Sequence, residues 1–139
     1  MRVLLPTLLM PALLAAACTP TERQLQAQAD AQAGARAALD RELAGLTPGQ
    51  PQSCIEQSRV RSSRGFGDAI VYDGIGRERY VTRTSGGCEA YSRDQGFIVT
   101  RTPSTSLCRG DIATVIDRAT KQQIGACSFG DFTPYSPRP

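Results

Sequence analysis

Residues 69–82, AIVYDGIGRERYVT, decide the fold class of this chain. Two short runs of β-branched and aromatic residues, 69–72 and 80–82, are typical of strands. The stretch between them contains Asp-Gly and a second glycine, which is typical of a tight turn. The sequence therefore predicts a β-hairpin here.

Further strands are predicted on both sides of this hairpin. Residues 96–100 (GFIVT) form a third short run, and residues 111–117 and 123–129 bracket a second hairpin. Residues 55–61 are predicted as a first strand. Five or six short strands at this spacing predict a mainly β fold, a small antiparallel barrel or sandwich.

Four cysteines fall in this β region: Cys54, Cys88, Cys108 and Cys127. They predict two disulfides, for which three pairings exist. We favour Cys54–Cys127 with Cys88–Cys108, which would join the first and last strands, while the sequential pairing, Cys54–Cys88 with Cys108–Cys127, stays open. No CxxC spacing occurs, so we expect no metal and no cofactor.

The N-terminus has the pattern of an export signal. Arg2 precedes an apolar run over residues 3–14, and the alanines at 15–17 precede Cys18. The stretch LAAAC, residues 14–18, resembles the lipobox of bacterial lipoproteins, which implies lipidation of Cys18 and a membrane anchor. Thr19 follows, which implies outer-membrane sorting towards the periplasm; a soluble periplasmic protein is the alternative.

These boundaries divide the chain into four parts. Residues 1–17 are the predicted signal peptide, and residues 18–53 hold the anchor site and an Ala/Gln-rich helical or disordered stalk. The stalk includes a capping box at Thr21 and ends in a Pro/Gly hinge. Residues 54–135 form the disulfide-stapled β domain, and residues 136–139 are a tail.

The order of motifs in residues 54–135 resembles a family of small uncharacterised exported proteins from proteobacteria. The resemblance rests on Cys54-Ile55, on Cys88 after the first hairpin, on LCRGDI at 107–112 and on CSFGDF at 127–132. It implies a four-cysteine exported domain and supplies no catalytic residues.

Charge and arginine placement bear on possible ligands. Without Arg2 the chain has fifteen basic and thirteen acidic residues, a balance too even to predict nucleic-acid binding. Two arginine sets recur at strand-like offsets, and together they predict an anion-binding face if their strands are neighbours. These residues are Arg59, Arg61, Arg77, Arg79 and Arg83.

The absence of histidine removes the commonest general base, so we expect no enzyme activity. The candidate carboxylates are Asp68, Asp73, Asp111, Asp117 and Asp131, all at turns or strand ends. The sequence therefore predicts a non-catalytic envelope lipoprotein that binds a protein or an anionic envelope polymer. The alternative is a carboxylate-dependent periplasmic hydrolase.

Overall fold

The computed structural model describes residues 20–138. The predicted signal peptide and Cys18 lie outside these described residues. The elements are one long helix, nine strands and a second short helix, in this order: α1 Glu22–Glu42, β1 Leu46–Pro48, β2 Cys54–Glu56, β3 Ser62–Phe66, β4 Ala69–Asp73, β5 Arg79–Thr84, α2 Glu89–Ser92, β6 Gly96–Thr100, β7 Ser106–Cys108, β8 Ile112–Asp117 and β9 Gln123–Pro137.

The predicted mainly β fold is confirmed. Six antiparallel strands, in the order β3-β4-β5-β9-β8-β6, curl into a half-barrel. Strand β9 is long enough to pair with β5 along one edge and with β8 and then β1 along the other. A separate two-stranded sheet, β2-β7, packs beside it. The fold is therefore built around one long central strand.

The main core fills the inner face of the half-barrel. Tyr72, Phe129 and Phe132 stack with ring centroids 5.7 to 6.1 Å apart, in edge-to-face or tilted arrangements that aromatic pairs favour. Ile55 of β2 and Leu107 of β7 belong to the same buried cluster, so the β2-β7 sheet acts as a lid over this core. Burial of such large side chains contributes about 1.5–3 kcal/mol each.

Helix α1 begins at the predicted capping box. The Thr21 hydroxyl accepts from the backbone N–H of Gln24, and the Gln24 side chain accepts from the Thr21 N–H. The C-terminal part of the helix packs on the outer face of the sheet, where Leu39 is 5% exposed against Val71 and Val81. Strand β4 is consequently buried on both faces, which accounts for its continuous apolar run.

The stretch predicted as a hinge is part of the sheet. Leu46 to Pro48 form β1, whose register pairs Leu46 with Pro137, and Gln52 forms a bridge with Phe132. The predicted tail is paired too, because β9 continues to Pro137. The hinge prediction was wrong because turn residues at edge positions can still pair with a long neighbouring strand.

The prediction of one strand over residues 55–61 was also wrong. This stretch contains the end of β2 and a 3₁₀ turn, Gln57–Arg59, before β3 begins at Ser62. Strand β3, with the sequence SSRGF, escaped prediction because serine and glycine have low strand propensity. It forms one end of the open sheet.

Helix α2 closes the gap between the two ends of the half-barrel. It contacts both β3 and β6, and the Tyr91 hydroxyl lies 2.6 Å from the Ser63 carbonyl oxygen, to which it donates. Gly65 permits this approach, because a Cβ placed there would lie 2.8 Å from backbone atoms of Ser92. We call this contact region the α2 seam.

Two disulfides form, but neither of the pairings considered from the sequence is correct. Cys54 is bonded to Cys108, and Cys88 to Cys127. The favoured pairing assumed that the first strand joins the last one. Strand β2 instead pairs with β7, which places Cys54 directly opposite Cys108.

The register of the second hairpin is irregular. A symmetric turn would place Cys127 opposite Ile112, whereas the structure places it opposite Ala113. A register shift between Val115 and Ile116 accounts for the difference. Because Cys127 then lies on the inner face, it meets Cys88 at the start of α2.

Candidate anion-binding cleft

An open cleft of about 400 Å³ lies where the turn of the β4–β5 hairpin meets the end of α1. Its charged lining consists of four arginines and three carboxylates, which leaves one excess positive charge. These residues are Arg61, Arg64, Arg77, Arg79, Glu42, Asp73 and Glu78.

Two of the arginines are neutralised inside the cleft. Arg64 lies 2.8 Å from the Glu42 carboxylate and 3.1 Å from that of Asp73. Arg79 pairs with the same two carboxylates, lies 3.3 Å from Asp73, and also donates to the Glu42 backbone carbonyl. The four groups therefore form one connected network, which fixes the two guanidinium groups in place.

The network also affects the titration of Arg64. Partial burial acts to lower the pKa of its guanidinium, but the charges of Asp73 and Glu42 outweigh this effect and raise the pKa above its ordinary value. Arg64 is therefore a permanent cation in the cleft.

The other two arginines have no ion-pair partner among residues 20–138. Arg61 precedes β3, where its backbone N–H donates to the Asp73 carbonyl. Arg77 lies in the hairpin turn, which a hydrogen bond from Gly74 N–H to the Glu78 carbonyl closes. Both side chains line the cleft and remain available to an anion.

The predicted arginine face is only partly brought together. Arg61, Arg77 and Arg79 line the cleft, whereas Arg59 pairs with Glu78 at 3.5 Å. Arg83 lies at the opposite end of β5, where it pairs with Asp68 at 2.8 Å. The five residues therefore do not form one continuous face.

Two members of the cleft, Arg64 and Glu42, were not predicted from the sequence. Arg64 faces outward from β3, and it could have been found only if Ser62–Phe66 had been recognised as a strand. Glu42 is supplied by α1, and the sequence contains no signal that the last turn of a stalk helix packs against a hairpin.

The candidate catalytic aspartates are dispersed and occupied. Asp111 accepts from the Cys108 backbone N–H at 2.8 Å, and Asp131 pairs with Arg109 at 3.2 Å. Asp117 accepts from the backbone N–H and the hydroxyl of Thr120 and from the Ala119 N–H, and these bonds lower its pKa. Asp68 pairs with Arg83 as described, and Asp73 belongs to the cleft network.

A second groove of about 720 Å³ separates the projecting part of α1 from the β3 end of the sheet and α2. Alanine and glutamine side chains of the helix form one wall, and Gly65, Phe66 and Gly67 form part of the other. Its charged lining residues are Glu89 and Arg93, compared with seven charged residues around the cleft at the end of α1. We call the latter the arginine cleft, and its concentration of charge makes it the better candidate site for an anion.

Searches of protein-family models, of curated proteins and of solved structures each returned no match for this chain. Within residues 20–138, no helix combines the length and hydropathy needed to cross a membrane. The same part of the chain contains no group of three or more His, Cys, Asp or Glu side chains arranged to hold a metal.

Proposed function

We propose that this protein is a non-catalytic cell-envelope lipoprotein, anchored at Cys18, whose arginine cleft binds an anionic envelope polymer. The observation that carries the proposal is a pair of guanidinium groups, Arg61 and Arg77, that have no ion-pair partner among residues 20–138 and lie beside the fixed pair Arg64 and Arg79. Planar guanidinium groups suit carboxylate and phosphate oxygens, which they can bind in bidentate fashion.

The location has independent support. Two disulfides are consistent with an extracytoplasmic location, since such bonds form and persist in oxidising compartments. Both use cysteines of the β domain, which leaves Cys18 as the one cysteine outside them and available for lipidation. Outer-membrane attachment facing the periplasm is our proposal from the residues that surround Cys18.

Intact-mass measurement on protein from envelope membranes tests the anchor. The expected mass is that of residues 18–139 plus a diacylglyceryl group and an acyl chain. Reduction should add four hydrogens, two for each bridge. An unlipidated mass beginning at Cys18 would contradict the anchor and support a soluble periplasmic protein.

The hydrolase alternative receives less support from the cleft. A glycosidase-type mechanism needs a protonated carboxyl group as the acid, commonly held in an apolar environment. The two carboxylates that meet here, Glu42 and Asp73, both form ion pairs with Arg64 and Arg79. Both carboxylates therefore serve as ion-pair partners that orient the cleft arginines, which is a binding role.

Cosedimentation with purified peptidoglycan sacculi, and separately with lipopolysaccharide, tests the binding function. We expect the wild-type protein to bind one of the two polymers, with affinity that falls as salt rises. The double substitution Arg61→Gln/Arg77→Gln should weaken binding at least tenfold, which corresponds to about 1.4 kcal/mol.

The matched control is Arg83→Gln/Arg109→Gln. It removes two positive charges outside the cleft, each from a surface ion pair. We expect this control to bind within about twofold of the wild type, because exposed pairs and distant charges contribute little. Equal losses of affinity in both double variants would mean that net charge alone accounts for binding. This result would contradict a specific binding cleft.

A further inference from the structure

Glu42 is a carboxylate supplied to the cleft by a different element from the rest of its lining. It is the last residue of α1, and its side chain is 19% exposed between the Arg64 and Arg79 guanidinium groups. The cleft therefore already contains a carboxylate from the stalk helix, in the position where fixed arginines would receive one from a ligand.

We infer that the Glu42 side chain occupies the position that a carboxylate of the ligand takes. The cleft therefore binds a carboxylate-bearing polymer, which displaces Glu42 and loosens the end of α1. This inference rests on the proposed binding function and names its ligand class. Arg61 and Arg77 provide the first contacts at the open rim. Arg64 and Arg79 each lose one of two carboxylate partners once Glu42 leaves and keep Asp73 as the other.

Asp73, the other carboxylate of the network, cannot leave in the same way. It lies on β4, where it is paired with Ser62 of β3 and with Arg79 of β5, and the Ser62 hydroxyl donates to it at 2.6 Å. Glu42 is instead the last residue of α1, followed by the C-cap residue Leu43, and it takes no part in strand pairing. Displacement therefore acts on the helix terminus and leaves the sheet unchanged.

Displacement has a consequence for the stalk. The end of α1 is held on the sheet by burial of Leu39, by packing of Leu43 and by the contacts of Glu42 with Arg64 and Arg79. A ligand that takes over the two arginines removes the Glu42 side-chain contacts. By thermodynamic reciprocity, the same coupling makes the docked helix weaken ligand binding.

The test uses lipidated protein purified in detergent, with fluorescent poly-L-glutamate as the probe and binding followed by anisotropy. Glu42→Gln removes the competing charge and keeps the backbone carbonyl that Arg79 binds. Asp40→Asn is the matched control, because it removes the same charge from an exposed position on the same helix. We expect Glu42→Gln to bind about fivefold tighter or more, and Asp40→Asn to stay within about twofold of the wild type.

A second readout is hydrogen exchange of residues 39–43. Saturating poly-L-glutamate should accelerate exchange there in the wild type and should leave the Arg61→Gln/Arg77→Gln variant unchanged. Inorganic polyphosphate of matched charge tests the ligand class, and we expect it to bind wild type more weakly than poly-L-glutamate.

Each outcome has a distinct meaning. Equal affinities in Glu42→Gln and Asp40→Asn, or unchanged exchange in residues 39–43, overturn the displacement while leaving the proposed function in place. Tighter binding of polyphosphate overturns the carboxylate assignment. Absence of probe binding by both the wild type and Glu42→Gln overturns the displacement, and failure to bind sacculi and lipopolysaccharide as well overturns the proposed function.

Discussion

The half-barrel is closed at two places, and each closure carries one disulfide. Next to the α2 seam, Cys88–Cys127 ties the N-cap residue of the short helix to the central strand β9; we call it the seam bridge. At the lid, Cys54–Cys108 ties β2 to β7 over the inner core. The two bridges differ in burial: Cys88 and Cys127 are 3% and 4% exposed, whereas Cys54 is exposed and Cys108 is half-buried.

This difference in burial separates two contributions of a disulfide to stability, one from chain entropy and one from packing. The bridged residues are 39 and 54 positions apart, so the chain-entropy argument assigns nearly equal stabilisation to both, about 4 kcal/mol each. Packing is not equal, because only the seam bridge is part of the buried cluster. Any difference in the effect of removing each bridge therefore reports packing.

Removing the seam bridge with serine should have the largest effect on stability. Cys88→Ser/Cys127→Ser loses the cross-link and places two hydroxyl groups in an apolar core, at about 1–3 kcal/mol for each that lacks a partner. We expect a loss of about 5 kcal/mol or more, enough to unfold a domain of this size, measured by urea denaturation with circular dichroism.

The control for this prediction is Cys88→Ala/Cys127→Ala. It removes the same cross-link without burying hydroxyl groups, so it should be more stable than the serine pair by about 2 kcal/mol. Equal stabilities would mean that the buried position of the seam bridge has no energetic consequence.

Removing the lid bridge should have a smaller effect, and one that does not depend on the replacement. Cys54→Ser/Cys108→Ser and the corresponding alanine pair should each lose about 2–4 kcal/mol and differ by less than about 0.5 kcal/mol, because Cys54 is exposed and Cys108 is only half-buried. Mild reductant should also open this bridge first, since thiol exchange requires access to sulfur. Peptide mapping after partial reduction and alkylation checks that order; earlier labelling of Cys88 would contradict it.

The features that were predicted correctly from the sequence have local sequence patterns or follow from composition. Residues 69–72 and 80–82 were identified as a hairpin because their pattern is strong and local, and the second hairpin followed from the same kind of signal. The capping box of α1 was equally local. The cysteine count predicted that two bridges form.

The predictions that were wrong or incomplete concern contacts between segments that are distant in the sequence. The partner of Cys54 is set by the pairing of β2 with β7, across 54 residues, and no local pattern encodes it. The cleft required Glu42 from α1 and Arg64 from a strand whose sequence, SSRGF, has no strand-like periodicity. Three of the four cleft arginines belonged to the anion-binding face predicted from the sequence: Arg61, Arg77 and Arg79.

The α2 seam can be weakened without changing its bridge. In Gly65→Ala the new methyl group would lie 2.8 Å from the backbone of Ser92, so helix or strand must move. We expect a loss of about 1–3 kcal/mol in urea denaturation. Gly34→Ala is the control, because nothing lies within 4 Å of its added Cβ and alanine favours the helix; it should be neutral or stabilising by up to about 1 kcal/mol.

If Gly65→Ala proves as stable as the wild type, α2 can move away from β3 without loss of stability, and the bridge alone holds α2 in place. The combination with Cys88→Ala/Cys127→Ala then distinguishes the two sources of closure. Coupled losses indicate that bridge and close packing act on one contact, whereas additive losses indicate independent ones.

The smallest effects concern two tyrosines near this seam. The Tyr91 hydroxyl donates to the Ser63 carbonyl and lies 2.8 Å from the Ser63 hydroxyl, so Tyr91→Phe should lose about 1 kcal/mol. The Tyr72 hydroxyl is buried and has no hydrogen-bond partner among residues 20–138, so Tyr72→Phe should be neutral or stabilising by up to about 1 kcal/mol.

A pH series sharpens the difference between these tyrosines. Burial, and to a lesser extent Tyr91, raises the pKa of Tyr72, so its hydroxyl stays neutral in the folded state after it has ionised in the unfolded chain. The contribution of Tyr72 to the free energy of unfolding is constant below pH about 10. It is lost as the pH rises further, because only the unfolded state releases the proton. Tyr72→Phe should therefore show a weaker loss of stability than the wild type above pH about 10. Parallel alkaline curves would mean that the Tyr72 hydroxyl reaches solvent and that the seam beside it opens more readily than its buried disulfide implies.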